Sequence, residues 1–475
     1  MKVLYVTSEA YPFAMSGGLA DVSGALPKAL RKRLVGCRVV MPLYDCISEE
    51  LKNSMRFITS ITVSVAWRRQ YCGIFEARVD GVIYYLLDNQ YYFKREGLYG
   101  HYDDAERFAF LSRAALDIIP HIDFVPDIIH CNDWQTAMLP VYLDMFYRGS
   151  DPYKNIKTVF TIHNIQYQGK YGRELTNDVL GLDSTQEYIV EYDGCVNMMK
   201  GGITCADRVT TVSPTYAREI MDPWYSHGLD RILRDQSFKL NGIVNGIDYD
   251  VYNPETGEGI EAPFSADDLS GKAINKKALQ REVGLPERAD VPIIAMISRL
   301  VDHKGFDLVK RVFEEMTGAE AQFVILGSGE WQYETFFHEM AGKHPDKVAF
   351  KPGFIPALAK KIYAGADIFL MPSKSEPCGL AQMISMRYGT VPIVRSTGGL
   401  NDTVQDSGDN EGNGFTFQMY NAHDMENAVW RALKGYYVRD GWTTLVKRCM
   451  ACDNSWKKSA GEYIKLYKEI TGLKK

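Results

Sequence analysis

The fold is decided by two short stretches, Gly17-Gly18-Leu19-Ala20-Asp21-Val22 and Gly398-Gly399-Leu400-Asn401-Asp402-Thr403-Val404. Each lies between an apolar, β-branched run and a helical pattern. Two adjacent glycines at such a point let the backbone approach a ligand closely and leave N–H groups at a helix N-terminus, where anions bind. One Gly-Gly turn usually only connects a strand to a helix. Two of them, almost four hundred residues apart, predict two nucleotide-binding halves that face one cleft.

Composition narrows the class of protein. The chain has 475 residues, more than one domain usually holds, and 46% hydrophobic with 24% charged residues is typical of globular proteins with full cores. The net charge of −6 argues against nucleic acid or an anionic membrane as the main partner. No apolar run approaches the roughly 20 residues of a membrane span. Nine scattered cysteines, mostly in apolar segments, indicate reduced thiols and a cytoplasmic protein.

Short β-rich runs alternate with helical patterns, such as those at 105–119 and 357–364, along the whole chain. Most of the runs are continuously apolar, as expected for strands buried on both faces of a parallel sheet. This alternation predicts an α/β fold of open, doubly wound sheets that bind ligands at the carboxyl ends of their strands. The predicted strands are Val3–Thr7, Arg38–Pro42, Val82–Leu87, Ile128–His130, Thr158–Ile162, Val209–Val212, Ile243–Val244, Ile293–Ile297, Gln322–Leu326, Val348–Phe350, Ile368–Met371, Val391–Val394 and Phe415–Phe417.

The chain is expected to divide into two Rossmann-like domains and a terminal segment. A boundary is predicted near Asn245-Gly246, which gives an N-terminal domain at 1–244 and a C-terminal domain at 245–455. The last segment, 456–475, begins with a strong amphipathic pattern, which predicts a helix over 456–470. The apolar residues that repeat there at helical spacing are Trp456, Ala460, Tyr463, Ile464, Tyr467 and Ile470.

Charged residues follow two predicted strands of the second half. Arg299 and Lys304 are five residues apart, just after a buried strand, where two cations can neutralise a diphosphate leaving group. Glu376 follows the strand at 368–371, where a carboxylate can bind sugar hydroxyls or balance positive charge in a glycosyl transition state. Taken alone, the cations would be a solvated face and the carboxylate a helix N-terminal charge. Their position beside glycine-rich turns favours the functional interpretation.

Polar residues also follow two strands of the first half. Asp133 and His163 would each alone be an ordinary structural polar group, but together they are typical of one wall of a cleft. Two further patterns are interpreted as structural. Asp248-Tyr249-Asp250 matches a short metal motif that is common by chance, and a turn is the default interpretation. Cys449 and Cys452 have no second ligand pair nearby, so no metal site is predicted.

Seven motifs, in this order, resemble those of bacterial glycogen synthases and plant starch synthases, and the resemblance spans essentially the whole chain. It implies the GT-B arrangement of two facing Rossmann-like domains with a deep interdomain cleft, an acceptor side in the first domain, a donor side in the second, and a C-terminal helix that crosses back onto the first domain. The motifs are SGGLADVSGALP (16–27), NDWQTAMLP (132–140), FTIHNIQYQG (160–169), VNGID (244–248), SRLVDHKGFD (298–307), EPCGL (376–380) and STGGLNDTV (396–404).

The resemblance also implies a reaction: transfer of glucose from ADP-glucose to the non-reducing end of an α-1,4-glucan such as glycogen, starch or a maltooligosaccharide, with retention of configuration and no metal or cofactor. The side chains it implies at the reacting centre are His163, Glu376, Arg299, Lys304 and Asp133. The donor-binding positions it implies are Met15, Ser16, Gly17, Gly18, Asp21, Asn164, Asn245, Phe354, Cys378, Gly379, Leu380 and Thr397. Within this set Phe354 would stack on the adenine, and Asn245 would reach the sugar or phosphate from the second domain.

One position departs from the family pattern. The family has Lys-x-Gly-Gly-Leu, with the lysine on the donor phosphate or glucose, whereas this chain has Met15. The loss of one charge-assisted contact costs about 1.5–3 kcal/mol. The expected consequences are weaker donor binding, compensation by another cation, or a relaxed nucleotide preference.

Two alternative functions follow. One is a related GT-B glucosyltransferase that uses UDP-glucose. The other, from a different class, is a non-catalytic glucan-binding regulatory protein whose donor site has decayed, although decay would also be expected to remove Glu376 or Lys304. For the retaining reaction itself, no unambiguous carboxylate nucleophile stands out, which favours front-face attack with the leaving phosphate as base.

Overall fold

The computed structural model describes residues 1–409 and 411–472. These residues form two compact units. The first comprises Met1–Gly246 together with the C-terminal segment that begins at Trp456, and the second comprises Ile247–Ser455. Residues 473–475, the end of the terminal segment defined above, lie outside the described residues.

The first unit is built around one large sheet. Its strands are β1 (Lys2–Val6), β2 (Gly36–Pro42), β3 (Arg56–Val65), β4 (Arg68–Val79), β5 (Val82–Asp88), β6 (Ile128–Asn132), β7 (Lys157–Ile162), β8 (Lys170–Tyr171), β9 (Glu191–Tyr192), β10 (Cys195–Asn197), β11 (Arg208–Thr211) and β12 (Leu240–Gly242). The large sheet has the order β12-β11-β7-β6-β1-β2-β5-β4-β3. Neighbours from β12 to β5 are parallel, whereas β4 and β3 add an antiparallel hairpin. A small antiparallel sheet has the order β8-β10-β9.

Helices connect the parallel strands, because parallel neighbours need crossover connections. The first helix begins at Gly18, the second glycine of the turn, and buries Leu19, Val22, Leu26 and Leu30 on one face, at the spacing of an amphipathic helix. The helices of this unit before its C-terminal segment are α1 (Gly18–Lys32), α2 (Glu49–Asn53), α3 (Gln90–Phe93), α4 (Asp104–Asp117), α5 (Met138–Tyr142), α6 (Leu175–Asp178), α7 (Met198–Cys205), α8 (Pro214–Glu219) and α9 (Asp230–Asp235).

The second unit contains one parallel sheet. Its strands are β13 (Ile293–Ile297), β14 (Gln322–Leu326), β15 (Val348–Lys351), β16 (Ile368–Met371), β17 (Val391–Arg395) and β18 (Phe415–Phe417), in the order β15-β14-β13-β16-β17-β18. Its helices are α10 (Ser270–Val283), α11 (Phe306–Thr317), α12 (Trp331–Lys343), α13 (Pro356–Gly365), α14 (Ala381–Arg387), α15 (Gly398–Thr403), α16 (Ala422–Tyr436) and α17 (Arg439–Ala451). Apolar residues along β13 and β14 are almost fully buried, and this burial is the main stabilising term of such a sheet.

The C-terminal segment forms α18 (Trp456–Thr471), in agreement with the helix predicted over 456–470. Its buried face belongs to the core of the first unit. Tyr467 Oη lies 2.6 Å from Nδ1 of the fully buried His130 on β6. The Tyr463 ring packs against the same imidazole, with the two ring centroids 5.4 Å apart. Ser459 Oγ donates a hydrogen bond of 2.6 Å to the Val244 carbonyl.

Shorter helical turns complete the chain. A π-helical turn covers Leu143–Tyr147. The 3₁₀ turns are Ile119–His121, Trp134–Thr136, Glu187–Ile189, Ser237–Lys239, Asp302–Lys304 and Ser407–Asp409. Two of these turns, at Trp134–Thr136 and Asp302–Lys304, directly follow predicted site residues or contain them.

The α/β fold with parallel sheets predicted from the sequence is confirmed. Every predicted strand but one has an observed counterpart within two residues at each end. The strand predicted at Ile243–Val244 is wrong, because β12 occupies Leu240–Gly242 and the following residues are irregular. The antiparallel hairpin β3–β4 and the small sheet β8-β10-β9 were not predicted.

Candidate active site

In the first unit, three neighbouring parallel strands carry the predicted site residues at their carboxyl ends. The strands are β7, β6 and β1, which lie side by side in the sheet. His163 follows β7, Asp133 follows β6, and the Gly17-Gly18 turn follows β1. Because ligands of open α/β sheets bind at these strand ends, the sequence spacing brings the three features to the expected edge.

The Gly17-Gly18 turn is open. Gly17 has extended backbone angles (φ −166°, ψ −166°) and caps α1 without a side-chain hydrogen bond. A Cβ atom at either glycine would meet no heavy atom within 4 Å, so the packing of the chain itself does not require glycine here. The preceding Met15 is 42% exposed. The open space and the first N–H groups of α1 therefore leave room for an anionic ligand.

The buried side chain of Glu9 accepts hydrogen bonds from Ser16, the residue before this turn. Glu9 Oε2 accepts hydrogen bonds from the backbone N–H of Ser16 at 2.6 Å and from its hydroxyl at 2.7 Å. Burial raises the pKa of Glu9 to about 7, although the Ser16 bonds lower it, and the charge of the exposed Asp21 raises it further. The sequence interpretation missed Glu9, whose only signal is its place three residues after β1, which precedes a glycine turn.

Asp133 holds the turn that carries His163. Its Oδ1 accepts hydrogen bonds from the backbone N–H groups of His163 at 2.7 Å and Asn164 at 3.3 Å. Asp133 has φ 55° and ψ 179°, a strained conformation for a residue with a side chain. Burial raises its pKa to about 7, and the two N–H bonds oppose that rise. Such strain near strand ends is typical of functional sites.

The His163 imidazole is half-buried and neutral. Burial lowers its pKa to about 3. Its Nε2 lies 2.9 Å from Oδ1 of Asn132, the last residue of β6, which was not among the predicted site residues. Asn164 closes the same turn, because its Oδ1 accepts a hydrogen bond of 3.0 Å from the Gln166 N–H.

A cavity of about 430 Å³ lies along the segment that follows His163. Its walls combine aromatic rings with amide and cationic side chains, the mixture that binds sugar rings by stacking and by hydrogen bonds. The lining residues are Trp134, Gln166, Tyr167, Gln168, Gly169, Lys170, Tyr171 and His227. The sequence interpretation missed this cavity, although most of its residues stand in the motifs that contain Asp133 and His163.

In the second unit, three neighbouring parallel strands again meet at the predicted residues. The strands are β13, β16 and β17, which lead to Lys304, Glu376 and the Gly398-Gly399 turn, respectively. Lys304 Nζ lies 2.7 Å from Glu376 Oε2, with side-chain exposures of only 19% and 9%. The Ser373 hydroxyl donates a second hydrogen bond of 3.1 Å to the same oxygen. A buried, charge-assisted pair therefore stands at the ends of these strands.

A second cation acts close to this ion pair. Arg299 is exposed and lies two residues after the end of β13. The pKa of His303 is lowered first by burial and then by the positive charges of Lys304 and Arg299. The two cations thus act on the same imidazole, and the segment 299–304 presents a positive end to the sheet.

The Gly398-Gly399 turn packs closely against the backbone of the segment that contains Glu376. Gly398 has φ +45°, and a Cβ there would lie 1.8 Å from the Glu376 carbonyl oxygen. A Cβ on Gly399 would lie 2.1 Å from the Cys378 carbonyl oxygen, and the Gly399 N–H donates to the Glu376 carbonyl at 3.1 Å. Only glycine permits this approach. The two Gly-Gly turns therefore differ, since the first is open and the second is packed against its neighbour.

Comparisons with known proteins agree with this arrangement. The starch synthase catalytic domain family matches residues 2–235, and the family of group 1 glycosyl transferases matches residues 279–444. Glycogen synthase of Geobacillus thermodenitrificans is 51% identical over 474 residues, which cover 99% of this chain and 98% of the relative. Glycogen synthase of Bacillus anthracis is 51% identical over 99% of this chain and its own full length.

A solved structure, the catalytic domain of starch synthase IV from Arabidopsis thaliana bound to ADP and acarbose, superposes with a TM-score of 0.92. It is 35% identical, and the match covers 99% of each chain. The chain belongs to the glycogen and starch synthase family. It is a glycosyltransferase with the GT-B class of α/β fold.

The predicted site residues of this synthase fall into two groups, one on each unit. Asn245, assigned to the second domain from the sequence, belongs to the first unit, and its buried Oδ1 has no hydrogen-bond partner among the described residues. The first group is Met15, Ser16, Gly17, Gly18, Asp21, Asp133, His163, Asn164 and Asn245. The second group is Arg299, Lys304, Phe354, Glu376, Cys378, Gly379, Leu380 and Thr397.

Within the second group of the synthase, packing differs widely. Phe354 is 82% exposed in the loop between β15 and α13. Thr397 is fully buried where α15 begins, and Cys378 is 5% exposed. Gly379 has φ +71°, and its carbonyl accepts a hydrogen bond of 2.8 Å from Gln382 Nε2.

Candidate metal ligands of the synthase form one close group in the described parts of the chain. Its members, Glu315 on α11 and His423 and Glu426 on α16, are not among the predicted site residues. Asp248 Oδ1 accepts a hydrogen bond of 2.9 Å from the Asp250 N–H, so that motif forms a turn. Cys449 and Cys452 are free thiols. No described helix is long and apolar enough to cross a membrane.

Proposed function

We propose that this chain transfers glucose from ADP-glucose to the non-reducing end of an α-1,4-glucan, with retention of configuration. The observation that carries the proposal is the 2.7 Å pair of Lys304 and Glu376 at the carboxyl ends of β13 and β16. A cation and a carboxylate at this position match the two charges of a nucleotide-sugar reaction. The leaving diphosphate is negative, and the departing glucosyl group becomes positive.

The second unit, Ile247–Ser455, is proposed to hold the donor, as predicted for the domain at 245–455. Arg299 and Lys304 would neutralise the diphosphate as its bond to glucose breaks. Glu376 and the N–H groups of residues 378–380 would hold the glucose, and Thr397 would contact phosphate. The exposed Phe354 ring would stack on the adenine. Two cationic side chains supply the charge compensation in this scheme, so it requires no metal.

The first unit is proposed to hold the acceptor. The aromatic cavity beside His163 suits a chain of glucose units, because sugar rings stack on Tyr and Trp faces while amides bind their hydroxyls. From this unit, the open Gly17-Gly18 turn would meet the donor diphosphate, and His163 would contact the transferred glucose with Asp133 nearby. Relatives described as glycogen synthases and a starch synthase bound to ADP and acarbose support this pairing of an adenine nucleotide with a glucan.

Retention is proposed to proceed by front-face attack, in which the leaving phosphate accepts the proton of the acceptor hydroxyl. A covalent route needs a free carboxylate beneath the anomeric carbon. Asp133, one carboxylate of the first site group, already accepts two backbone N–H bonds through Oδ1, which makes that oxygen a poor nucleophile. A glycosyl adduct on any carboxylate, detected by mass spectrometry after rapid quenching, would contradict this route.

The deciding experiment measures incorporation of labelled glucose from ADP-glucose into glycogen. The wild type is compared with Glu376→Ala, which removes the buried carboxylate, and with Glu314→Ala, which removes an exposed ion-pair partner on the same unit. Transfer by the wild type and Glu314→Ala but not by Glu376→Ala supports the proposal. If the wild type transfers glucose from neither ADP-glucose nor UDP-glucose, the enzyme proposal fails and a glucan-binding regulatory protein takes its place.

A UDP-glucose-dependent transferase is the second candidate, and one observation favours it. Met15 supplies no charge at the position where the family has a donor-binding lysine, and its side chain is 42% exposed. Competition between labelled ADP-glucose and unlabelled UDP-glucose distinguishes the candidates. Under our proposal, equimolar UDP-glucose reduces incorporation by much less than half, whereas a stronger reduction identifies the UDP-dependent enzyme.

A further inference from the structure

The side chain of Asn132 is bonded on both sides of its amide in the core of the first unit. It is fully buried at the end of β6. Its Nδ2 donates to the carbonyl oxygens of Val6 at 3.0 Å and His130 at 3.4 Å. Its Oδ1 lies 2.9 Å from the Tyr5 hydroxyl and 2.9 Å from Nε2 of His163.

These partners define the orientation of the amide. A carbonyl oxygen only accepts hydrogen bonds, so the two backbone carbonyls require the NH₂ group on their side. The oxygen of Asn132 must then face Tyr5 and His163. Since an amide oxygen also only accepts, both the Tyr5 hydroxyl and His163 Nε2 must donate to it.

The same constraint determines which nitrogen of His163 carries a proton. Burial keeps this imidazole neutral at physiological pH, and a neutral imidazole carries one proton. With that proton on Nε2, the Nδ1 atom keeps its lone pair. Nδ1 has no hydrogen-bond partner among the described residues, so it remains available as an acceptor.

We propose that Asn132 is a positioning residue that fixes His163 as the Nε2–H tautomer and leaves Nδ1 to accept a hydrogen bond from a substrate hydroxyl. The inference rests on the proposed function for the identity of that hydroxyl, which belongs to a sugar. It gives His163 a defined role: the side chain orients the sugar and offers no proton at Nδ1. The leaving phosphate therefore has no proton donor in His163, in accord with its role as base.

Tyr5 and His130, two residues that contact Asn132, make further contacts in the core of the first unit. The Tyr5 ring lies edge-on to His130, with ring centroids 4.9 Å apart. His130 in turn is bonded at Nδ1 to Tyr467 of α18 and at Nε2 to the Thr161 hydroxyl, both at 2.6 Å. Because these groups are buried and mutually bonded, they hold the amide in the orientation described above.

The test observes the tautomer directly. Protein labelled with ¹⁵N-histidine is recorded by long-range ¹H–¹⁵N NMR, and the resonances of His163 are identified by their loss in His163→Gln. We expect one protonated and one bare ring nitrogen, with the proton on Nε2, unchanged between pH 6 and 8. A proton on Nδ1, or a doubly protonated ring in this range, overturns the inference.

Three variants separate positioning from general damage. Asn132→Ser removes the acceptor, and we expect the Nδ1–H form to become detectable and kcat to fall about tenfold, the effect of one lost hydrogen bond. Asn132→Asp keeps an acceptor oxygen toward Nε2 but replaces the NH₂ donor to the Val6 and His130 carbonyls by oxygen, so we expect the Nε2–H bond to persist at a cost in unfolding free energy. Asn275→Ser is the matched control, because this buried asparagine also donates to two backbone carbonyls, at 2.7 and 2.8 Å, but lies in the second unit.

If Asn132→Ser does not fold, Tyr5→Phe is measured instead. This variant removes the Tyr5 bond to Asn132 and keeps the His163 bond, so it should leave the tautomer unchanged. An unaltered His163 spectrum in folded Asn132→Ser contradicts the inference even if glucose transfer is intact. Conversely, a chain that transfers no glucose but shows the Nε2–H tautomer, lost in Asn132→Ser, contradicts only the proposed function. The two failures are therefore distinguishable.

Discussion

Glu9 is a buried carboxyl, bonded to Ser16 beside the Gly17-Gly18 turn, whose protonation makes the stability of the fold depend on pH. It is 3% exposed, and burial raises its pKa from 4.5 to about 7. Between these values the folded state holds more protons than the unfolded state, so the free energy of unfolding falls as pH rises through this window. By pH 8 the ionised carboxylate costs roughly 3 kcal/mol.

Glu9→Gln removes this ionisation and keeps an oxygen for the Ser16 bonds. We expect the variant to be similar to the wild type in stability near pH 5 and more stable at pH 8, by up to roughly 3 kcal/mol. Urea unfolding at both pH values measures the difference. The exposed Glu96→Gln is the control, and an equal pH dependence of wild type and Glu9→Gln would contradict the assignment.

Met15 is the residue at which donor binding is expected to be improved. Met15→Lys adds a cation beside the open Gly17-Gly18 turn, and we expect the KM for the nucleotide sugar to fall roughly 10- to 100-fold, the equivalent of a 1.5–3 kcal/mol charge-assisted contact. Steady-state kinetics with saturating glycogen measure it. Leu34→Lys, at a position 95% exposed on the same unit, controls for net charge, and an unchanged KM in Met15→Lys would show that the missing lysine is irrelevant.

At the level of elements, the first turn of α15 depends on glycine for steric reasons. In Gly398→Ala the new Cβ would lie 1.8 Å from the Glu376 carbonyl oxygen, at a φ of +45°, so the segment 376–378 must move. We expect a loss of more than about 3 kcal/mol in unfolding free energy, together with a loss of glucose transfer. Thermal unfolding and the incorporation assay measure both effects.

Gly284→Ala is the matched control for this turn. Gly284 also has a left-handed φ, +87°, but its Cβ would meet nothing within 4 Å. It should therefore cost only about 1 kcal/mol, the strain of the backbone conformation alone, and leave activity intact. Equal effects of the two substitutions would mean that conformation, and not close approach, explains the glycine.

α18 is fixed to the first unit partly by one buried hydroxyl. Tyr467→Phe removes the 2.6 Å bond to His130 and leaves a buried imidazole nitrogen without that partner. We expect a loss of about 1–3 kcal/mol in unfolding free energy. Tyr437→Phe is the control, because that hydroxyl bonds at 2.9 Å to a backbone carbonyl at a position 51% exposed. A Tyr467→Phe variant as stable as Tyr437→Phe would contradict the prediction.

The elements that sequence patterns missed had weak local signals. The hairpin β3–β4 is buried over only the last residues of β3 and the middle of β4. Its two-residue connection begins with Ala66 at φ 51°, a position where glycine or asparagine would have marked the turn. The strand expected at Ile243–Val244 lies three residues earlier as β12. Only tertiary pairing with β11 selects that register.

At the scale of the whole molecule, the proposed glucose transfer is tested most directly by substitution within the Lys304–Glu376 pair. Lys304→Met removes a cation at the end of β13, and we expect kcat to fall roughly 10²–10³-fold, as for the loss of one charge-stabilising donor. The incorporation assay measures it. Lys343→Met removes a lysine of an exposed pair with Glu314 and should leave kcat unchanged, so equal losses in both variants would argue against a catalytic role.

The sequence by itself determined the α/β class, most of the parallel strands and the family, because continuously apolar runs, glycine turns and ordered motifs are local signals. It also named residues at the strand ends, since strand position alone brings them to one edge of each sheet. Only the tertiary structure decided which side chains meet: Lys304 with Glu376, Asp133 with the amides of His163 and Asn164, and Asn132 with the imidazole. Those contacts, and the raised or lowered pKa values that accompany them, depend on burial among residues distant in sequence, which no local pattern encodes.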